Sequence, residues 1–310
     1  MGARFFLFSH GYYGVEFFFL VSGYLLAKKL AASDDTPLCT ATIGNETYRI
    51  LWNKLRPILP YHIIIIVVGM IIIIWLVRYP FSTFTTLFIN RLPSMFFLHR
   101  IGIIGAKVKD CIGVEWYISS MLLSILLIYP IGRKFGKAFR QFAPVLGICI
   151  LSYLIIETGS LGVANGMVGI FFKCNIRAFG ELLVGIGCYE IVQVLRVNEY
   201  STLKRFVLSL FELLCYGITL FYIVSFSGKE YEVLVFLFLS CGVTLSFAEI
   251  GLLSHSAVFQ SPFLQYLGQL RVFPFIFLRL FLCLITPTTL KMPVVLRKFR
   301  FYFFSSEQLL

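Results

Sequence analysis

The amino-acid sequence predicts an all-α, polytopic membrane protein, a helical bundle of about eight transmembrane helices. Of its 310 residues, 59% are hydrophobic and only 14% are charged, and the mean hydropathy is +0.88. A water-soluble core cannot hide that much apolar surface. The apolar residues also come in runs of roughly 20, which suits helices that satisfy every backbone group inside a lipid bilayer.

The apolar runs are bounded by charged residues, Pro or Gly, and eight of them are predicted to be spans. The first run ends at Lys28, the second opens at Pro60, and the third ends ahead of Arg133. Two amphipathic stretches, 46–59 and 81–98, are too polar to span and are predicted to lie at the membrane interface. The predicted spans are 12–27, 60–77, 114–131, 142–157, 176–195, 206–226, 232–250 and 267–286.

The basic residues between the runs predict the orientation. Lys and Arg accumulate after the first, third and fifth predicted spans, so these three loops are predicted to be cytoplasmic. The long loop after the second span is also basic, but long loops obey this rule weakly, and we place it outside. The net charge of +12 comes from short clusters and not from one solvated face, so nucleic acid is not predicted as a partner. The clusters are Lys28, Lys29, Arg49, Lys54 and Arg56; Arg133, Lys134, Lys137 and Arg140; and Arg196, Lys204 and Arg205.

Glu16 is the first candidate for a functional residue, because it lies within a predicted span. A carboxylate in the hydrocarbon region costs roughly 3 kcal/mol on insertion scales, so it needs a cationic or hydrogen-bonding partner there. The alternative is that Glu16 faces water at the outer interface. Gly23, two turns further along, is small enough to let another helix pack closely.

Cationic and aromatic residues supply the other candidates. Lys54 and Arg56 suit a phosphate-bearing ligand, although a positive-inside loop has the same composition. Arg177 and Glu181 are spaced to share one helix face, where they form either part of a site or a self-neutralising pair. His10 is the histidine nearest to Glu16 and a candidate base. Trp116, Tyr117 and Ser119 enter the third span, where aromatic residues commonly anchor a helix at the interface.

Four segments, in this order along the chain, resemble the acyltransferase 3 family of bacterial membrane O-acyltransferases. Segment 14–26 resembles the family's second span, and 54–61 resembles the basic motif before its third span. Segment 116–130 resembles a Trp-Tyr-Leu-Ser to Tyr-Pro stretch, and 177–187 resembles a later arginine helix that ends at glycine. The resemblance therefore covers most of the chain.

The resemblance implies transfer of an acetyl or other short acyl group from acyl-CoA in the cytoplasm to a hydroxyl of a cell-envelope carbohydrate. It implies a multi-pass protein of the bacterial plasma membrane, with acyl-CoA as donor, a glycan as acceptor and no bound cofactor. Glu16 and His10 would be catalytic. Residues that would bind donor or substrate are Lys54, Arg56, Trp116, Tyr117, Ser119 and Arg177.

The sequence also departs from the family. The family's first span, with its histidine, has no counterpart ahead of Gly14, and the continuation from Arg271 differs. We therefore expect residues 1–286 to form a transmembrane domain that is incomplete at its N-terminus, followed by a basic, aromatic tail at 287–310. Two alternatives stay open: a transporter or acyl-donor channel, and an inactive, truncated family member.

Overall fold

The computed structural model describes residues 12–34, 39–77, 82–101, 115–162, 165–225 and 231–251. His10, the predicted span 267–286 and the tail 287–310 lie outside the described residues. The helices within the described part are α1 (Tyr13–Ala32), α2 (Thr40–Leu55), α3 (Leu59–Val77), α4 (Ser82–Met95), α5 (Glu115–Thr158), α6 (Lys173–Val197), α7 (Thr202–Ser225) and α8 (Glu232–Ala248). A short antiparallel hairpin, β1 (Met167–Val168) and β2 (Phe171–Phe172), precedes α6.

The all-α prediction is confirmed for the described residues, whereas the number of spans is not. In this part of the chain α5, α6 and α7 are long and apolar enough to cross a bilayer. Helices α2 and α3, bent by 49° at the break between them, are a fourth candidate if they form one span. Helix α8 is apolar but only 17 residues long. These features are compatible with a membrane protein.

Helix α5 contains two of the predicted spans, joined by a reversal at Gly136. This glycine has φ +56° and ψ −132°, which are not helical values and are open to glycine because it has no Cβ. After it, Arg140 pairs with Glu190 near the end of α6, and Leu151 then packs on Gly180 near its start. The second arm of α5, 137–158, therefore runs antiparallel to α6.

The first arm of α5, 115–135, runs in the same direction as α6 and α1. Ser120 Oγ donates to Asn175 Oδ1 at 2.8 Å, close to where both helices begin. Ser22 of α1 contacts Met121, and Leu30 packs on Gly132. We call the end at which α1, α5 and α6 begin the Glu16 end of the bundle, and the opposite end, with the Gly136 reversal, the Arg140 end.

Helices α1 and α6 cross with their backbones almost in contact. A Cβ atom added to Gly23 would lie 2.2 Å from the carbonyl oxygen of Leu182, and one added to Gly185 would lie 2.3 Å from that of Leu20. Only glycine allows this approach. The packing role predicted for Gly23 is confirmed, and the crossing brings the first turns of the two helices together.

Helix α2 and the start of α3 contact the first arm of α5. Glu46 of α2 accepts from Arg133 at 2.8 Å, while His62 at the start of α3 lies 3.8 Å from Glu115. Because Arg133 and Glu115 are at opposite ends of the first arm of α5, the chain from 46 to 62 runs alongside that arm. The interfacial position predicted for 46–59 stays a prediction.

After His62, α3 packs chiefly on α4 through Ile66, Met70 and Met95.

Candidate functional site

A fully buried group of charges lies at the Glu16 end, where α1 crosses α6. Glu16, Arg177 and Glu181 each have no solvent-exposed surface. Arg177 Nε donates to Glu181 Oε1 at 2.8 Å, and its Nη2 donates to Glu16 Oε1 at 3.3 Å. We call these three residues the charge triad. Glu16 therefore does not face water, and the arginine joins α1 to α6.

Helix geometry explains why these side chains meet. Arg177 and Glu181 are four residues apart on α6 and so share one face of it. The glycine crossing holds Glu16, in the first turn of α1, against that same face. The self-neutralising pair that the spacing allowed is thus present, and Glu16 extends it across the helix interface.

Aromatic rings from two other segments enclose the guanidinium. The centre of the Arg177 guanidinium lies 5.5 Å from the ring centroid of Tyr12 and 5.6 Å from that of Trp116. Rings at this distance attract a cation through their negative faces. Arg177 Nη2 also donates to the backbone oxygen of Tyr12 at 3.3 Å. Trp116 therefore packs against the charge triad, and its role in binding a substrate stays a prediction.

A third buried carboxylate adjoins the charge triad through Tyr12. Glu232, at the start of α8, is 1% exposed. Its carboxylate accepts from the Tyr12 hydroxyl at 2.6 Å, from Ser160 Oγ at 2.7 Å and from the Leu161 backbone N–H. Tyr12 thus connects Glu232 to the triad, and neutral donors stabilise this acid where Arg177 stabilises the other two.

The charge triad is not saturated by its own contacts. Glu16 Oε2, Arg177 Nη1 and Glu181 Oε2 are buried and have no hydrogen-bond partner among the described residues. Polar atoms buried without a partner cost free energy, and the cost is larger when they are charged. The arrangement can therefore accept a small polar group that supplies both a donor for the carboxylates and an acceptor for the guanidinium.

The other predicted site residues are spread more widely. Tyr117 packs in the core against Phe19, with ring centroids 6.4 Å apart. Ser119 is buried, and its hydroxyl has no hydrogen-bond partner among the described residues. Lys54 and Arg56 belong to the α2–α3 segment on the other side of the first arm of α5, so neither contributes to the charge triad.

The sequence analysis missed Tyr12 and Glu232. Glu232 opens a long apolar run, as Glu16 does, and that similarity was a usable signal. Tyr12 gave no such signal, because its role depends on contacts of its ring and carbonyl with α6 and of its hydroxyl with α8.

A second set of ion pairs lies at the Arg140 end. Arg140 forms a bidentate pair with Asp34, at 3.0 and 2.9 Å, and donates from Nε to Glu190 at 2.6 Å. Arg133 pairs with Glu46 at 2.8 Å. Two of the basic residues that predicted a cytoplasmic loop are thus also structural, since they tie the Gly136 reversal to α1, α2 and α6.

Comparison of the chain with models of known protein families, with curated proteins and with solved structures gives no significant match.

Proposed function

We propose that this protein is a membrane O-acyltransferase of the bacterial plasma membrane. It transfers an acetyl or other short acyl group from acyl-CoA to a hydroxyl of a cell-envelope carbohydrate. The observation that carries the proposal is the charge triad with the Trp116 ring: residues from three of the four family-like segments, 14–26, 116–130 and 177–187, meet at one buried, unsaturated site.

The triad suits acyl transfer for a chemical reason. Attack of a hydroxyl on a thioester places negative charge on the carbonyl oxygen, and a buried guanidinium stabilises that charge strongly because water is excluded. Arg177 Nη1 is the unpartnered donor for this role. Glu181 fixes the guanidinium from one side, and Glu16 Oε2 is free to accept a hydrogen bond from a second hydroxyl of the carbohydrate.

The test uses the full chain in membranes, with radiolabelled acetyl-CoA and envelope polysaccharide as substrates. Glu16→Gln and Arg177→Lys are each expected to lower acyl transfer by about 100-fold or more, because each removes charge or geometry at the reacting group. Glu157→Gln is the matched control, since Glu157 is an exposed acid at the same end of the bundle. Transfer that survives Glu16→Gln and Arg177→Lys together contradicts the proposal.

A transporter is the second candidate, and the broken helix pair α2–α3, bent by 49°, favours it. Reconstituted proteoliposomes separate the two functions. A transporter moves acyl donor or glycan across the bilayer without forming an ester, whereas an acyltransferase yields a base-labile ester on the polysaccharide.

A further inference from the structure

A buried histidine contacts a buried glutamate that is the chain neighbour of Trp116, the residue whose ring packs on the charge triad. His62, in the first turn of α3, is 5% exposed, and Glu115, the first residue of α5, is 1% exposed. His62 Nε2 is 3.8 Å from Glu115 Oε1. This separation is too long for a hydrogen bond, but the two side chains form an ion pair when the imidazole is protonated.

The imidazole ring is held in place from two further directions. His62 Nε2 is 3.1 Å from the backbone oxygen of Ser94, and the ring stacks on Phe97 with centroids 4.2 Å apart. Phe97 has φ +58°, a left-handed conformation that is unfavourable for a residue with a Cβ. Phe97 thus adopts an unfavourable backbone conformation at the position where its ring stacks on the imidazole of His62.

The hydrogen bond to Ser94 also decides which nitrogen is basic. A carbonyl oxygen only accepts, so Nε2 of a neutral His62 carries the proton and Nδ1 carries the lone pair. Glu115, on the Nε2 side, then stabilises the imidazolium that forms when Nδ1 takes up a proton.

The pair adjoins the proposed acyl-transfer site through neighbouring residues of α5. Glu115 precedes Trp116, whose ring lies 5.6 Å from the Arg177 guanidinium. Ser119, one turn after Glu115 on the same face of α5, is buried and its hydroxyl has no partner among the described residues. Two polar groups without a hydrogen-bond partner among the described residues, the Ser119 hydroxyl and Arg177 Nη1, thus adjoin the first turn of α5.

We propose that His62 is the general base of this protein and that Glu115 is its positioning residue, an inference that rests on the proposed acyl transfer. Nδ1 of His62 removes the proton from the acceptor hydroxyl as the oxygen attacks the thioester carbonyl. The C–S bond then breaks, and the imidazolium returns the proton to the leaving thiolate. The products are an ester and a free thiol, so atoms and charge balance.

The experiment measures acetyl transfer by the full chain carrying His62→Ala, with and without added imidazole. His62→Ala is expected to lower kcat by about 100-fold or more, the usual contribution of a general base. Imidazole is expected to restore at least a tenth of the lost rate, because it fills the space left by the side chain. Glu115→Gln is expected to lower kcat while the KM for acetyl-CoA stays unchanged.

His99→Gln is the matched control, since His99 is an equally buried histidine from the same region. Its rate is expected to stay within about threefold of wild type and not to respond to imidazole. Folding is checked by the melting temperature in detergent, and His62→Gln replaces His62→Ala if the alanine variant unfolds.

Three outcomes overturn the inference. If the wild type transfers acetyl and the His62 variants match it, His62 is not the base, although the proposed function stands. If folded His62→Ala loses activity and imidazole does not restore it, the residue is structural. If the wild type transfers no acyl group, the proposed function fails and this inference fails with it.

Discussion

Arg177 is the side chain that neutralises the two buried carboxylates of the charge triad. It lies between two carboxylates and two aromatic rings, and all of its surface is buried. An unpaired arginine in this position would be strongly unfavourable, and so would two unpaired carboxylates. The triad is therefore both the site proposed for acyl transfer and a fixed structural connection between α1 and α6.

Replacing Arg177 by Met is expected to destabilise the protein by about 3–5 kcal/mol, since it leaves Glu16 and Glu181 buried without a cation. Thermal unfolding in detergent measures this. The triple variant with Glu16→Gln and Glu181→Gln is expected to regain much of the loss, because no charge remains within the triad. A triple variant that is no more stable than Arg177→Met would show that the ion pairs are not the cause.

Gly23 and Gly185 are the residues that set the separation of α1 and α6. Alanine at either position is expected to push the helices apart and to destabilise the protein by about 1–3 kcal/mol, the usual cost of overpacking. Gly14→Ala on the same α1 helix is the control, since nothing lies within 4 Å of its Cβ position. Equal melting temperatures for Gly14→Ala and Gly23→Ala would refute the close crossing.

At the scale of elements, α5 decides how many times the chain crosses the bundle. Its 44 residues contain two apolar arms, and only the backbone angles at Gly136 make them antiparallel. Arg140 fixes the reversal to α1 through Asp34 and to α6 through Glu190. The antiparallel orientation of the two arms therefore depends on the backbone conformation of Gly136 and on the ion pairs of Arg140.

Arg140→Gln is expected to loosen the Gly136 reversal, because it removes three charged hydrogen bonds to Asp34 and Glu190. Hydrogen exchange measured by mass spectrometry should rise severalfold for peptides that cover 133–143. Lys137→Gln removes an exposed charge of the same loop and is expected to leave exchange unchanged. Equal exchange in the two variants would contradict the role of Arg140.

At the scale of the molecule, the loops predicted to be cytoplasmic meet at one end. Asp34 after α1, the Gly136 reversal and Asn198 after α6 all lie at the Arg140 end, while the β1–β2 hairpin lies at the Glu16 end. Lys29, Arg140 and Arg196, one from each loop, thus lie on one side of the bundle. The prediction that this side is cytoplasmic follows from the positive-inside rule.

Single cysteines test this orientation in a chain whose eight native cysteines are replaced by serine or alanine. In intact cells, a membrane-impermeant maleimide is expected to label Ile170→Cys in the hairpin. It should leave Lys137→Cys and Asn198→Cys unlabelled until the membrane is opened. If Lys137→Cys and Asn198→Cys react differently from each other, the shared side is refuted.

The sequence predicted the helical class, the arms of α5 and the packing role of Gly23. Each of these depends on local composition: long apolar runs, the residues that interrupt them, and a side chain small enough for close contact. It also indicated Glu16 and Arg177 as residues in need of partners, because charge inside an apolar run is costly wherever it occurs. The interfacial position predicted for 46–59 stays a prediction, although Glu46 of α2 pairs with Arg133 of α5.

What the sequence determined by itself is therefore the all-helical, membrane-compatible nature of the protein and the residues whose charge requires a partner. Only the tertiary structure decided which residues are those partners. Arg177 pairs with Glu16 across 161 positions of sequence, Tyr12 connects the triad to Glu232 across 220, and His62 comes to lie beside Glu115. The physical reason is that a buried charge can be satisfied from any helix, so its partner is fixed by packing and not by spacing.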